Sequence, residues 1–376
     1  MVRAVMRLTR STRTRRASCL AGGGKEKPRA LRGNHGSNVR ALVEHCQVQL
    51  CFCVAHRIGL PLLIALVLSL PAQHDGLSQG LPEFAPLNPM GSSRSGLYYQ
   101  PFREPAPGHW TAALAVDYAS VIEYNRLTQA DYILDSELLR ISLGLSRDLG
   151  SRSFVLVGAS VAGAYAGFLD GFLDWYHGAL GIEVSERERR PRDRFLYTVT
   201  TPDGSTVIRS RSDFFLQDLR LGVGVRSGSM LQTVLSLTLP TATGPKGYGR
   251  GVPSLALLNT VRSHLDPRLL YEGSLGVGFT PSLGRLPEGQ RELFLAVTSG
   301  LRFRVWGRQS LFANLFYHSP YYRGTTLPSL DRRELSFDFG WILQTRRGGE
   351  WRVGLTEDLE PGGPGVDLIL RLGRSF

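Results

Sequence analysis

Cysteine is missing from most of this sequence. All four (Cys19, Cys46, Cys51, Cys53) precede residue 54 of 376, so the rest of the chain has neither disulfides nor thiolate metal ligands. The early stretch "HCQVQLCFCVAH" from His45 to His56 lacks the paired C-x2-4-C knuckles of a structural zinc centre. No metal and no cofactor are expected.

Excess charge is missing where it would matter. Of 44 Lys+Arg and 32 Asp+Glu, Met1 to Arg57 hold 12 and 2, leaving 32 and 30 for the other 319 residues. A nucleic-acid surface needs basic residues clustered on the folded part. The body is nearly neutral, which removes nucleic acid as a partner. A long apolar run is missing as well. Ile58 to Leu70, "IGLPLLIALVLSL", has 13 residues, against about 20 for a membrane-spanning helix. His56-Arg57 before it and Pro71-Ala72-Gln73 after it give the charged start, short apolar region and small exit residue of a secretory signal peptide. Residues 58–72 are therefore read as the signal's apolar region with cleavage near Ala72. Residues 1–57 are read as a basic leader, of which 1–53 are read as a mis-called extension, with translation starting near Val54.

Catalytic motifs are also absent. There is no P-loop, no dinucleotide fingerprint and no G-x-S-x-G elbow; Gly222-Val223-Gly224 sits inside a strand pattern. The only hydrolase-like grouping is His318 with Ser336 or Asp338, and nucleophilic catalysis needs nucleophile, base and orienting group in contact. The two-residue spacing of Ser336 and Asp338 is what any lumen-facing strand provides. The chain is not read as an enzyme.

What is present is alternation. Leu335, Phe337, Phe339, Trp341 and Leu343 share one face, with Ser336, Asp338, Gly340, Ile342 and Gln344 on the other. The same period runs through Leu139 to Ser146, Leu219 to Arg226 and Leu293 to Val305. Twelve strands are expected, near 111–124, 134–146, 152–164, 213–226, 230–240, 253–264, 269–280, 291–305, 309–318, 333–345, 350–359 and 366–376. Residues 73–107, rich in Pro, Gly and Ser, read as an extended lead-in; 108–376 read as the strand domain.

The connections alternate short and long throughout. In an up-and-down sheet that puts tight turns at one end and elaborated loops at the other, the plan of outer-membrane barrels. A secreted sandwich or lipocalin-like barrel shares the alternation but turns its apolar face inward. Four features favour the membrane barrel: the signal, the missing cysteines, the connection parity and the final strand. The fold class is thus all-β, a closed up-and-down transmembrane barrel of about twelve antiparallel strands with a short helix in its longest external loop. Trp110, Trp306, Trp341, Trp351, Tyr317, Tyr321 and Tyr322 fall near strand ends, as interfacial girdles require. Arg140, Arg220, Arg302 and Arg304 fall on the inward register, where they would favour anionic or polar solutes.

The last residues, "VDLILRLGRSF", alternate to the end of the sequence. They resemble the C-terminal signature of bacterial outer-membrane barrel proteins, which the barrel assembly machinery recognises. Leu368, Leu370, Leu372 and Phe376 match, while Arg374 departs, since an apolar residue is usual there. The implied partners are that machinery and outer-membrane lipids, and the implied location is a Gram-negative outer membrane. More specifically, "LDSELLRISLGLSRDLG" and "GFLDGFLDWYHGALGI" resemble the uncharacterised domain of unknown function 3187. The matching residues are Glu137, Arg140, Leu169-Asp170, His177 and Gly181, then the charged run to Pro191, within a likeness spanning about 95–376. That family implies a fold and no activity.

Phe168 to Leu180, "FLDGFLDWYHGAL", breaks the strand pattern. Phe168, Phe172, Trp175 and Ala179 recur at helical spacing, and Asp170, Asp174 and His177 share a polar face. Three readings stand: a divalent-metal site, a helix folded into the lumen, or a helix on the membrane surface with Trp175 and Tyr176 at the interface. For the whole protein the leading expectation is a passive channel or selective pore for small polar or anionic solutes. The alternatives are a non-conducting structural or binding scaffold and, third, a barrel-wall lipid hydrolase.

Overall fold

The computed structural model describes residues 81–126, 131–180, 191–200, 206–245, 247–282, 289–325, 327–346, 348–360, 363–366 and 368–376. The basic leader, the signal peptide, residues 73–80 of the lead-in, and Gly181 with the charged run after it to residue 190 lie outside them. All of the described residues belong to one compact unit. Among them no helix is long and apolar enough to cross a membrane.

Twelve strands close into a barrel: β1 (Trp110–Arg126), β2 (Asp131–Asp148), β3 (Ser153–Tyr165), then β7 (Leu219–Ser227), β8 (Leu231–Leu239), β9 (Ser254–Asp266), β10 (Leu269–Phe279), β11 (Leu293–Trp306), β12 (Gln309–His318), β13 (Glu334–Gln344), β14 (Glu350–Asp358) and β15 (Leu368–Ser375). Each pairs antiparallel with its neighbours, and β15 returns to β1 in a ladder from Ala113↔Ser375 to Ser120↔Leu368. Closure leaves no sheet edge, the condition for a sheet in hydrocarbon. The remaining pieces decorate the long-loop end. The hairpin β4 (Leu196–Thr200) and β5 (Thr206–Ser210) extends β2, and β6 (Asp213–Leu216) extends the line of β7 along β3.

The strand expected over 213–226 is thus two pieces, interrupted at Gln217-Asp218. The cause lies next door. β8 stops before Pro240, which has no N–H to give. Side chains of the following loop take over instead: Leu216 and Leu219 donate their backbone N–H to Thr243 and Thr241 hydroxyls at 3.0 and 2.8 Å, and Asp218 accepts from the Ala242 N–H.

The burial pattern sets inside from outside. On β11, Leu293, Leu295, Val297, Leu301 and Phe303 are exposed while Phe294, Ala296, Thr298 and Arg302 are buried. The exposed apolar face recurs on β7 to β10 and β12 to β15, which fits a lipid-facing belt and not a soluble barrel. Trp110 and Trp306 stand exposed at the short-turn end. Trp306 packs on Trp341 at 5.4 Å between centroids, and Arg374 lies over Trp351 and Phe376 at 4.6 and 4.4 Å. Arg374 therefore keeps its outward register by laying its stem along aromatic rings near the rim. Two of the expected girdle residues belong elsewhere. Tyr321 and Tyr322 are 0% and 2% exposed and pack inside the long-loop end, because the chain folds over the barrel mouth there through α3 (Pro328–Asp331).

Residues 81–102 lie inside the barrel. Leu81, Phe84, Met90, Leu97, Tyr98, Tyr99 and Phe102 are all buried. Prolines 82, 86, 89 and 101 explain why this segment does not join the sheet: each lacks a donor for a ladder. It makes only one helical turn, α1 (Pro89–Arg94), capped by the Asn88 side chain accepting from the Met90 N–H. The wall makes room by size. At Gly276 and Gly278 an added Cβ would stand 3.1 and 3.0 Å from the Leu97 side chain.

Candidate functional site

Among the described residues, charge, burial and shape converge in the lumen. The inward register of β1 runs through small residues, Ala113 and Ala115, to Asp117. Arg140 on β2 donates to Asp117 at 2.7 and 3.0 Å, and Arg371 on β15 donates to the other oxygen at 3.0 Å and to Asp338 on β13 at 3.2 Å. The same guanidiniums then turn to the inserted segment. Arg140 donates to the carbonyls of Ala85 and Pro86 at 3.0 and 2.8 Å, and Arg371 donates to that of Glu83 at 2.9 Å. Phe84 sits beneath, with the Arg371 guanidinium 5.0 Å from its ring and Phe316 at 4.5 Å.

The pattern repeats along the segment. Arg250, in the loop after β8, pairs with Asp218 at 2.7 Å and donates to the Ser92 carbonyl at 2.8 Å. Burial pulls its pKa below the usual guanidinium value, and the Asp218 carboxylate opposes that shift. Arg226 pairs with Asp148 at 2.7 Å and donates to the Arg103 carbonyl at 2.7 Å. Gln232 and Thr260 donate to the carbonyls of Pro101 and Gln100. Glu272 accepts from Tyr99 and from the Leu81 N–H. A segment with no ladder of its own has its backbone acceptors met by wall side chains.

Of the arginines picked from sequence, Arg140 and Arg302 are buried in the lumen, Arg302 pairing with Glu350 at 2.9 Å. Arg220 faces inward and pairs with Glu83. Arg304, on the same register as Arg302, is half-buried near the short-turn end of β11, two residues from Trp306. Arg140, Arg220 and Arg302 are thus held by carboxylates or by the inserted segment instead of lining an open aqueous pore. A cavity of about 170 Å³ remains between the segment and the wall. Its lining runs from Ala113 and Gly373, near the short-turn end, past Gly144, Gly158 and Ser160 to Tyr248 and Arg250 in the long loops.

The loop helix α2 (Asp170–Leu180) is not in the lumen. It packs on the outer wall, where its contacts are all with outward-register residues. Ser120 on β1 lies 3.5 Å from Asp170, and Tyr176 donates to Glu357 on β14 at 3.1 Å. Glu137 on β2 accepts from the Tyr118 hydroxyl and from the N–H groups of Phe168 and Leu169. Phe168, Phe172 and Trp175 remain exposed beside this contact. Asp170 also accepts from the Asp193 N–H at 2.7 Å, Asp174 pairs with Arg192 at 2.6 Å, and the His177 side chain lies outside the described residues. No group of three metal-ligating side chains occurs among the described residues.

On the closing strand, Leu370 and Leu372 are exposed outward, and the Phe376 N–H bonds to the Ala112 carbonyl at 2.9 Å. Leu368, on the same outward register, is only 4% exposed. Its ladder partners Ser120 and Glu357 are the residues that α2 touches, so the helix covers it. His318, Ser336 and Asp338 are buried on the lumen side. Asp338 serves Arg371 and Thr356, and the His318 Nδ1 lies against the Ser319 carbonyl.

A closed twelve-stranded sheet with an apolar exterior and a filled, charged lumen is an outer-membrane-type β-barrel. The chain belongs to the family described as Protein of unknown function (DUF3187), which it matches over residues 60–360. No curated protein is significantly similar to it in sequence. Similar solved structures include the COG4313 outer membrane channel from Pseudomonas putida F1, at 13% identity and a TM-score of 0.47, covering 72% of this chain and 96% of that one. The translocator domain of the autotransporter NalP from Neisseria meningitidis is similar at 11% identity and a TM-score of 0.39, covering 72% and 89%. The Pseudomonas putida toluene transporter TodX is similar at 10% identity and a TM-score of 0.36, covering 79% and 97%.

The residues that sequence reasoning missed are those of the inserted segment and its anchors, Glu83, Phe84 and Asp117. Four prolines ahead of the first strand and one acid in an inward row of alanines were the available signals.

Proposed function

We propose that this protein is a plugged channel of a Gram-negative outer membrane, passing small polar or anionic solutes along the cavity beside residues 81–102. One observation carries this reading: the void follows the small-residue wall over much of the barrel height, while the inserted segment blocks the rest. The short turns then face the periplasm and the long loops the exterior. Export would use the signal over 58–72. Assembly would use Leu368, Leu370, Leu372 and Phe376, with the exposed belt meeting outer-membrane lipids. Phe376→Ala should lower the yield of folded barrel in membranes; unchanged yield removes that role.

Planar-bilayer conductance tests the channel, and the cysteine-free body makes a direct control available. Leu97→Cys with Gly276→Cys, joined by a disulfide or a short thiol cross-linker, ties the plug to the wall. Conductance that falls on cross-linking and returns on reduction supports the reading. No conductance before or after, at any voltage, favours the scaffold alternative, which the packed aromatic mouth around Tyr321 and Tyr322 also fits. No observation favours the lipid hydrolase.

A further inference from the structure

We propose that Arg220 is the binding site for a small oxyanion, a carboxylate in the first place, which competes with Glu83 and so loosens the plug. This rests on the channel reading above and names the ligand of its cavity.

Arg220 differs from Arg140, Arg371 and Arg250 on the same cavity; Arg352 there also has one carboxylate partner and an unpaired Nε, but that partner, Glu350, is fully buried in the wall. The Arg220 side chain is 20% exposed, against 7% for Arg140, 11% for Arg371 and 4% for Arg250. Those three each hold carboxylates and backbone carbonyls together. Among the described residues Arg220 has a single bonding partner, Glu83 of the plug, and its Nε has none. A guanidinium is a five-donor fork suited to two parallel bonds with a carboxylate. The Glu83 bond, through Nη2 alone, leaves most of that capacity unused.

The surroundings hold the fork between two flat faces. One face of the guanidinium stacks on Tyr98 of the plug, 3.4 Å from the ring centre. The other approaches β3 at Gly158, where an added Cβ would lie 3.1 Å from Nη2 and 3.2 Å from Nε. A side chain at this position would press on that plane. The Glu83 side chain is 34% exposed, so its carboxylate can leave Arg220 for water without being stranded. The cavity beside them measures about 170 Å³, where a single water needs roughly 15 Å³. A ligand of benzoate size fits this volume, its ring toward Tyr98 and the alanine and glycine wall.

The mechanism is competition. An oxyanion on Arg220 leaves Glu83 unpaired and removes one of the contacts holding residues 81–86, while Arg140 and Arg371 keep theirs.

Calorimetric titration of benzoate, and separately inorganic phosphate, into the full chain in detergent tests this, with heat-modifiable gel mobility as the folding check. Benzoate should bind the wild type, and Glu83→Gln should bind about tenfold more tightly because the internal competitor is gone. Arg220→Met should abolish binding, and Arg220→Lys, which keeps charge without the fork, should lose most of it. Tighter binding of phosphate than benzoate keeps the oxyanion site and assigns it to phosphate. A Glu83→Gln variant that binds neither anion, or an Arg220→Met variant that binds as well as wild type, overturns the proposal. A barrel that never conducts but binds benzoate at Arg220 defeats the channel and keeps the site. A conducting barrel whose variants all bind neither anion does the reverse.

Discussion

Two segments of this chain leave the barrel wall and pack back against it, residues 81–102 from within and residues 166–180 from without. Both carry Gly, aromatic and Leu residues with a few charges, and only the inner one carries proline and serine. Their chemistry is reversed. Inside, the wall mostly donates and the segment accepts, as Arg140, Arg371 and Arg250 reach plug carbonyls, with Glu272 the reverse, taking the Tyr99 hydroxyl and the Leu81 N–H. Outside, the wall mostly accepts and the segment donates, as Glu137 and Glu357 take N–H and O–H groups from Phe168, Leu169 and Tyr176, the Ser120 hydroxyl donating the other way to Asp170. Inside, guanidiniums each hold a carboxylate and still have donors to spare. Outside, a bare carboxylate on a lipid-facing register would be costly, and covering it with a loop removes that cost.

The comparison breaks most sharply at Asp117, which serves both Arg140 and Arg371. Asp117→Ala leaves two buried guanidiniums short of a counter-charge and should destabilise the barrel by about 3–5 kcal/mol. Urea unfolding followed by tryptophan fluorescence reads this directly. A loss below 1 kcal/mol would mean that Asp338 alone carries the pair and that the plug does not depend on the cluster.

Phe84→Ala should cost about 3 kcal/mol, by removing a buried ring from Phe316 and from beneath Arg371. The loss falls on plug docking and spares the wall. Limited proteolysis should therefore cut between residues 81 and 107 while the barrel stays folded. Equal loss of both would show that plug and wall fold as one unit.

Much of the wall was legible in the sequence, because a lipid-facing strand declares itself by period and a barrel by the parity of its connections. The twelve strand positions follow from those two signals, and the helix over 170–180 follows from its own three-and-four spacing. Residues 81–102 were read as a lead-in because they have no period. Their place is set by side chains far along the chain, such as Arg371 and Glu272, and not by neighbours. The same limit applies to the loop helix. Phe172 and Trp175 suit a membrane surface and a lumen equally well, and only the outward register of Glu137 and Glu357 on other strands decides between them. Leu368 looked lipid-facing by alternation; α2 covers it, which no local pattern reports.

On the outer side, Glu137→Gln should weaken the strap by about 1–3 kcal/mol, since an ionised acceptor of three donors becomes a neutral one. Trp175 sits on the exposed face of that strap, so its emission should shift and its quenching by iodide rise. The urea midpoint of the barrel should not move. A midpoint that falls as far as in Asp117→Ala would erase the distinction between a plug tied into the core and a strap tied onto the surface.

The smallest effect belongs to the polar face of α2. Asp174 pairs with Arg192 where the two side chains are 30% and 66% exposed, and an exposed pair contributes about 0–1 kcal/mol. Asp170 is engaged by the Asp193 N–H and lies against Ser120, so its carboxylate already has a structural task. Asp174→Ala with His177→Ala should leave stability within about 0.5 kcal/mol and leave conductance unchanged. Metal content by elemental analysis should be the same as in wild type after dialysis against zinc and calcium. One equivalent of metal in the wild type that disappears in the double variant would make this face a ligand set, and the strap would then be held to the wall by more than its donors to Glu137 and Glu357.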